Sequence, residues 1–245
     1  MGISENIETV VSTFQKGREL AESGLSLDEL ISKLNDFEPR YRSVAFEGAS
    51  MGVALTDWKS WAEYAKRAEK HGTQVHIGLG WAIAQPPKSP EGGTSSPLNP
   101  PKGDLASPPQ LDLASTLSQI EQELRVKVLD GVGYWHGLFQ RRATIRTQQI
   151  PEFITAEYQA GFDHGVGRAI WYITKGEVDK VANIISHFSE DRRPNLWQGI
   201  GVALTFVGGC PDELIAELKS AAGKFRLNLE KGIEAAEGSM RRAQI

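Results

Sequence analysis

Five ionisable side chains stand beside small-residue steps in otherwise apolar stretches: Glu47 before Gly48, His76 two residues before Gly78, Asp130 before Gly131, Asp163 two residues before Gly165, and Arg168 directly after Gly167. A carboxylate carried into an apolar helical region has its charged form disfavoured, which raises its pKa and suits it to general acid or base work. Each of these residues also has a structural reading. Asp130 ahead of a glycine is the usual helix N-cap or turn residue. Asp163 and Arg168 suit a buried ion pair, with each other or with other helices. His76 on an apolar segment suits a hydrogen-bonded core histidine. Glu47, in AFEGASMG, is the hardest of the set to place on a surface.

Other chemical templates are missing. There is no HExxH, and His71 and His76 are five apart, which puts them on different helix faces, so no metal site is expected. Neither a GxSxG elbow nor a GKS/T phosphate loop occurs. VKVLDGVGYWHG imitates a dinucleotide fingerprint with glycines at 131, 133 and 137, but no strand follows to seat the acid that a βαβ unit needs. The candidate catalytic set is therefore Glu47, His76, Asp130, Asp163 and Arg168, with no cofactor expected.

The elements that must position these residues share a pattern. Gly165-Val-Gly167-Arg168-Ala169-Ile170 has the form glycine, apolar, glycine, any residue, alanine, apolar; Gly78 to Ile83 and Gly199 to Leu204 repeat it, and Gly131 to Tyr134 repeats its first half. At 100° per residue Gly165 and Ala169 share one helix face and Gly167 lies roughly opposite, so such a helix is thin on two sides. Glycine in a helix costs about 1 kcal/mol against alanine, and a chain that accepts this repeatedly recovers it through close helix approach. The pentapeptide GVALT also occurs at both Gly52 to Thr56 and Gly201 to Thr205. Together these suggest a duplicated helical unit, residues 38–85 corresponding loosely to 111 onward.

Period-two alternation is scarce, so the predicted fold is all-α, a multi-helix bundle with glycine-rich central helices. Helices are predicted from residue 4 to about 22, from Leu27 to about Asn35 behind the Ser26/Glu29 capping box, from Pro39, and from Asp57. Trp58, Trp61 and Tyr64 of that fourth helix read as core packing. Another helix starts near Thr73 and ends at Pro86. Residues 86–110 hold most of the proline and few apolar side chains, and are expected to be a mobile loop or linker between an N-terminal half, 1–85, and a C-terminal half, 111–245, of one compact domain. Beyond it a helix is predicted from about Leu111 through VKVL, a polar irregular stretch at RRATIRTQQ, and a central helix opened by Pro151. Gly176 should break that helix, Pro194 and Pro211 should start two more, and the last should run from about Lys224 to Arg242.

The 27 basic and 31 acidic residues give a net charge of −4 with no basic block, which argues against nucleic acid as the main partner. A single cysteine, Cys210, rules out an intrachain disulfide framework. The start shows no signal peptide, and Asn6 stands where myristoylation favours Ser or Thr. The longest apolar run, Gly199 to Cys210, falls short of the roughly 20 residues of a membrane span. A soluble cytoplasmic protein is expected.

Five segments, FEPRYRSVAFEGASMGVAL, VHIGLGWAIA, VLDGVGYWHGLF, GFDHGVGRAIWYI and LWQGIGVALTFVGG, resemble in order and spacing the UnbL family, a domain of unknown function in bacterial enediyne and other natural-product gene clusters. The resemblance covers about residues 10–225. Glu47, His76, Asp130, Asp163, Arg168 and Trp171 match it, whereas His136 and His164 depart from it, as does the proline-rich insertion. It implies a role in secondary-metabolite assembly near a polyene or polyketide intermediate, and brings no assigned catalytic residue.

Three functions compete. The first is a protein with an apolar inter-helical cavity, where the carboxylates drive cyclisation or isomerisation of an apolar small-molecule intermediate by proton transfer. The second is a non-catalytic accessory subunit that docks on another protein of the same pathway. The third is a small-molecule or redox-cofactor binding module.

Overall fold

The computed structural model describes residues 2–85 and 111–244, so the proline-rich linker expected between 86 and 110 lies outside the described residues. Twelve α-helices are described: α1 Ile3–Glu22, α2 Leu27–Asn35, α3 Pro39–Thr56, α4 Trp58–Arg67, α5 Gly72–Ala84, α6 Leu113–Ser118, α7 Gln122–Phe139, α8 Gln159–Thr174, α9 Val178–Ser186, α10 Arg193–Val207, α11 Asp212–Ala222 and α12 Arg226–Gln244. Among the described residues there is no strand, and the fold is an all-α multi-helix bundle.

Seven of these helices form one row in the order α1, α3, α5, α7, α8, α10, α12, and the glycines explain the order; along α7 and α8 the contacts Gly161 to Leu129, Gly165 to Asp130 and Gly137 to Ala169 advance together, so these neighbours run parallel. The hydrogen that stands in for a side chain on each points at a backbone carbonyl of the next helix. Gly17 meets Ala45 and Gly48 meets Phe14 between α1 and α3; Gly80 meets Val128 and Gly131 meets Ile77 between α5 and α7. Gly133 meets Phe162 and Gly165 meets Asp130 between α7 and α8; Gly167 meets Leu196 and Gly199 meets His164 between α8 and α10. Gly201 meets Leu229 and Gly232 meets Gln198 between α10 and α12. A methyl group at any of these positions would overlap the carbonyl. The approach permits Cα–H···O contacts, each contributing roughly 0.5–1 kcal/mol, which offset the cost of glycine in a helix.

The spacing of two is what makes the row possible. Gly165, with Ala169, faces α7, while Gly167 faces α10, so one helix is pared down on opposite flanks. At the interface of α3 with α5, Ser50 stands where the other helices carry the second glycine. Its hydroxyl donates to the Val75 carbonyl at 2.5 Å and accepts from Trp61 Nε1 at 2.8 Å. The row curls: α12 packs against α3, and α1 against α10. One cluster of buried apolar side chains draws on both sides of the 86–110 stretch, from Val10 and Phe46 to Val166 and Leu229.

The sequence-based boundaries need three corrections. The helix expected from Leu111 is two, α6 and α7, because Ile120 turns into the core and its carbonyl is capped by Arg125 Nε at 3.0 Å. Pro151 opens a turn, with Ile154 N bonded to its carbonyl at 2.9 Å, and α8 begins only at Gln159. RRATIRTQQ is not irregular throughout; Arg142–Arg146 is a π-helical turn, followed by Gln148 in the left-handed region at φ 54°. Trp61 and Tyr64 are buried in the core as expected of them.

Candidate functional site

Residues just before the first glycine of each pair and four positions further on share a helix face, since four residues turn a helix through 400°. That rule picks out Glu47 and Met51 on α3, Ile77 and Trp81 on α5, Asp130 and Tyr134 on α7, and His164 and Arg168 on α8. Contacts among them skip helices, which only the concave side of the curled row allows. Phe14 of α1 packs on Trp81 of α5 at 4.7 Å, and Trp81 meets Tyr134 edge-on at 4.9 Å.

Arg168 is the centre of this side. Its Nη1 donates to Asp130 Oδ2 at 3.3 Å, its Nη2 lies 3.8 Å from Glu47 Oε2, and its guanidinium sits over the Tyr134 ring at 4.4 Å. His164 Nδ1 is 3.3 Å from the same Asp130 oxygen. Glu47, Asp130 and Arg168 are each at most 3% exposed. Behind them Tyr134 and Tyr172 share a hydrogen bond, with burial pushing the Tyr172 hydroxyl up to about 12.

The two carboxyls respond to this environment in opposite directions. Burial pushes Glu47 up to about 7, opposed by Arg168 and reinforced by the charge of Asp130. Burial also works to raise Asp130, but Arg168 and then His164 outweigh it and hold the group below its ordinary value. Burial opposes the charge of Arg168 as well, yet Asp130 and Glu47 hold its pKa above the ordinary arginine range. A pair of carboxyls driven apart in this way is the pattern of one permanent anion and one group that exchanges its proton near neutrality.

Among the described residues, several polar atoms here have no partner. Arg168 Nε and Asp130 Oδ1 are buried and unbonded. Trp81 Nε1 bears on the Glu47 carboxyl and favours its charged form, but no acceptor lies within ordinary hydrogen-bond geometry of it. Among the described residues no group of three or more His, Cys, Asp or Glu side chains is arranged to hold a metal ion.

The sequence-based set of five divides. Glu47, Asp130 and Arg168 come together. Asp130 is no N-cap: it lies in the interior of α7 and is buried. Asp163 is buried but turned away from Arg168, and pairs with Arg192, whose Nε lies 3.0 Å from both carboxylate oxygens. Burial raises Asp163 and Arg192 opposes that. Arg192 also donates to the Gln148 carbonyl at 3.1 Å, so this pair anchors the loop after the π-helical turn. His76 faces α4: its Nδ1 bonds the Gly72 carbonyl at 2.7 Å and its ring meets Trp61 edge-on at 5.4 Å. Asp163 and His76 stand two residues before their glycines, about 100° round the helix from the shared face. His164, one residue before Gly165, stands where Asp163 was expected to act.

A family model described as "Protein of unknown function (DUF1702)" matches residues 2–245, nearly the full length. The chain belongs to the DUF1702 family. No curated protein and no solved structure matches it. The DUF1702 chain has no helix, among its described residues, long and apolar enough to cross a membrane.

Proposed function

We propose that this protein acts in the cytoplasm in secondary-metabolite assembly of the enediyne or polyketide kind, binding an apolar, polyene-like intermediate between its helices and moving a proton on it through Glu47. The observation that carries the reading is the contact of Glu47 with Arg168 at 3.8 Å, in a cluster that brings the Glu47 proton into exchange near neutral pH. Asp130 keeps Arg168 in place and charged, and Arg168 is the cation that steadies negative charge as a proton leaves the substrate. The rings of Phe14, Trp81 and Tyr134 supply an aromatic wall on the same side. The five-segment resemblance to the UnbL family supports the pathway assignment.

The test is mass spectrometry of small molecules that copurify with the wild-type chain and with Glu47→Gln. A bound unsaturated compound that exchanges a carbon-bound proton for deuterium in heavy water with the wild type, but not with Glu47→Gln, is the expected result. Normal product formation by a folded Glu47→Gln protein would instead support the accessory-subunit reading.

A further inference from the structure

Besides the acceptor Asp130 Oδ1, two of the unpartnered atoms on the concave side are donors, and these two indicate what a ligand there could present. Arg168 Nε and Trp81 Nε1 are both donors, buried and, among the described residues, without an acceptor in bonding geometry. Both belong to side chains that bear on Glu47, and both side chains lie against the ring of Tyr134. A buried donor left unmade costs about 1–3 kcal/mol, so two of them on side chains that flank one ring favour a ligand with an oxygen acceptor.

The charges narrow the acceptor further. Asp130 already neutralises Arg168, and Glu47 contributes a second negative charge whenever it is ionised. A ligand carboxylate would add another anion to a low-dielectric cluster, whereas a neutral carbonyl would meet the donors without that repulsion. The face of Tyr134 that could shelter a carbocation is taken by the Arg168 guanidinium at 4.4 Å, so a fixed cation already stands where positive charge on the substrate would have to develop.

Resting on Glu47 as the proton carrier, we propose that the substrate carries a neutral carbonyl group, as a thioester, ester or ketone conjugated to its double bonds, and that Arg168 and Trp81 hold the carbonyl oxygen. The reaction class is then a double-bond shift rather than a cation-driven cyclisation. The Glu47 carboxylate takes a proton from a carbon α or γ to the carbonyl, and the C–H pair moves through the conjugated system onto the oxygen, which becomes an enolate held by Arg168. The Glu47 carboxyl returns the proton to another carbon of the system, and the carbonyl reforms. No oxidant or co-reactant is consumed.

Fluorescence titration of the full chain with three conjugated probes tests this: parinaric acid methyl ester, free parinaric acid, and diphenylhexatriene, which has no oxygen. At pH 8 the ester binds about tenfold or more tightly than the free acid. Trp81→Phe and Arg168→Lys, each checked for a cooperative thermal transition, weaken the ester about tenfold and leave diphenylhexatriene unchanged, the loss expected of one buried hydrogen bond. Glu47→Gln still binds the ester. Equal losses for ester and hydrocarbon, a preference for the free acid, or no ester binding by wild type would overturn the proposal. Retained ester selectivity together with unchanged proton exchange in Glu47→Gln would leave the carbonyl site standing and remove Glu47 as the proton carrier.

Discussion

Arg168 on α8 reaches Glu47 on α3 at 3.8 Å, although α5 and α7 stand between those two helices in the row. The contact exists because glycines, with Ser50 at the α3 and α5 interface, bring neighbouring backbones close, and because the row curls so that its concave side gathers residues from several helices.

Glu47 should therefore leave a signature in the pH dependence of stability. Its folded pKa is about 7 against an ordinary 4.5, so between those values the folded chain holds a proton that the unfolded chain has lost. The contribution is complete below pH 4.5 and is lost as pH rises through about 7, at roughly 1.4 kcal/mol per pH unit. His71 and His136, which burial lowers to about 4 and about 3, act in the opposite sense: their stability falls as pH drops below 6.5. Denaturant unfolding of wild type and Glu47→Gln across pH 4.5 to 8 separates the two, because only the difference between the proteins carries the Glu47 term.

Removing Arg168 strands two buried carboxyls. Arg168→Met should cost about 3–5 kcal/mol, the usual penalty for one partner of a buried pair. The double variant Arg168→Met with Asp130→Asn should recover part of it. Urea midpoints at constant slope check both.

The glycine row can be probed by adding one methyl group. Gly165→Ala drives a Cβ onto the Asp130 carbonyl, where α7 and α8 cannot separate without disturbing their other interfaces, and should cost about 1–3 kcal/mol or more. Gly72→Ala at the start of α5 meets nothing within 4 Å and should be neutral or stabilising by up to about 1 kcal/mol. Thermal melts of the two variants should move in opposite directions or differ by several degrees.

Asp163 is the control within the original candidate set. Asp163→Asn should destabilise, since it weakens the bidentate bond to Arg192, yet leave ligand binding at the concave side unchanged. Parallel measurement of melting temperature and probe affinity checks the separation.

Much of this arrangement was legible in the chain. The spacing of Gly165 and Gly167 implies a helix thin on two flanks, and Ser26 with Glu29 implies the cap of α2, because both depend on residues within one turn. Gly17 and Gly232 left no trace, since each end helix of the row has a single such neighbour and a lone glycine in a charged amphipathic helix carries no pattern. The partners of Asp163 and Arg168 were hidden for a different reason. Arg192 lies 29 residues from Asp163 and Asp130 lies 38 from Arg168, distances over which only the fold decides who meets whom. The register of Glu47, Asp130 and His164, each one residue before a glycine, is present in the sequence and sets them a 100° step apart from His76 and Asp163, each two residues before one.

The most direct test is infrared difference spectroscopy of the folded protein as a function of pH, reading the carbonyl band of a protonated buried carboxyl. The expected result is a band lost with a midpoint near pH 7 and absent from Glu47→Gln. A Glu47 midpoint at its ordinary 4.5, or a band unchanged in Glu47→Gln, would contradict the assignment of Glu47 as the group that exchanges its proton beside Arg168.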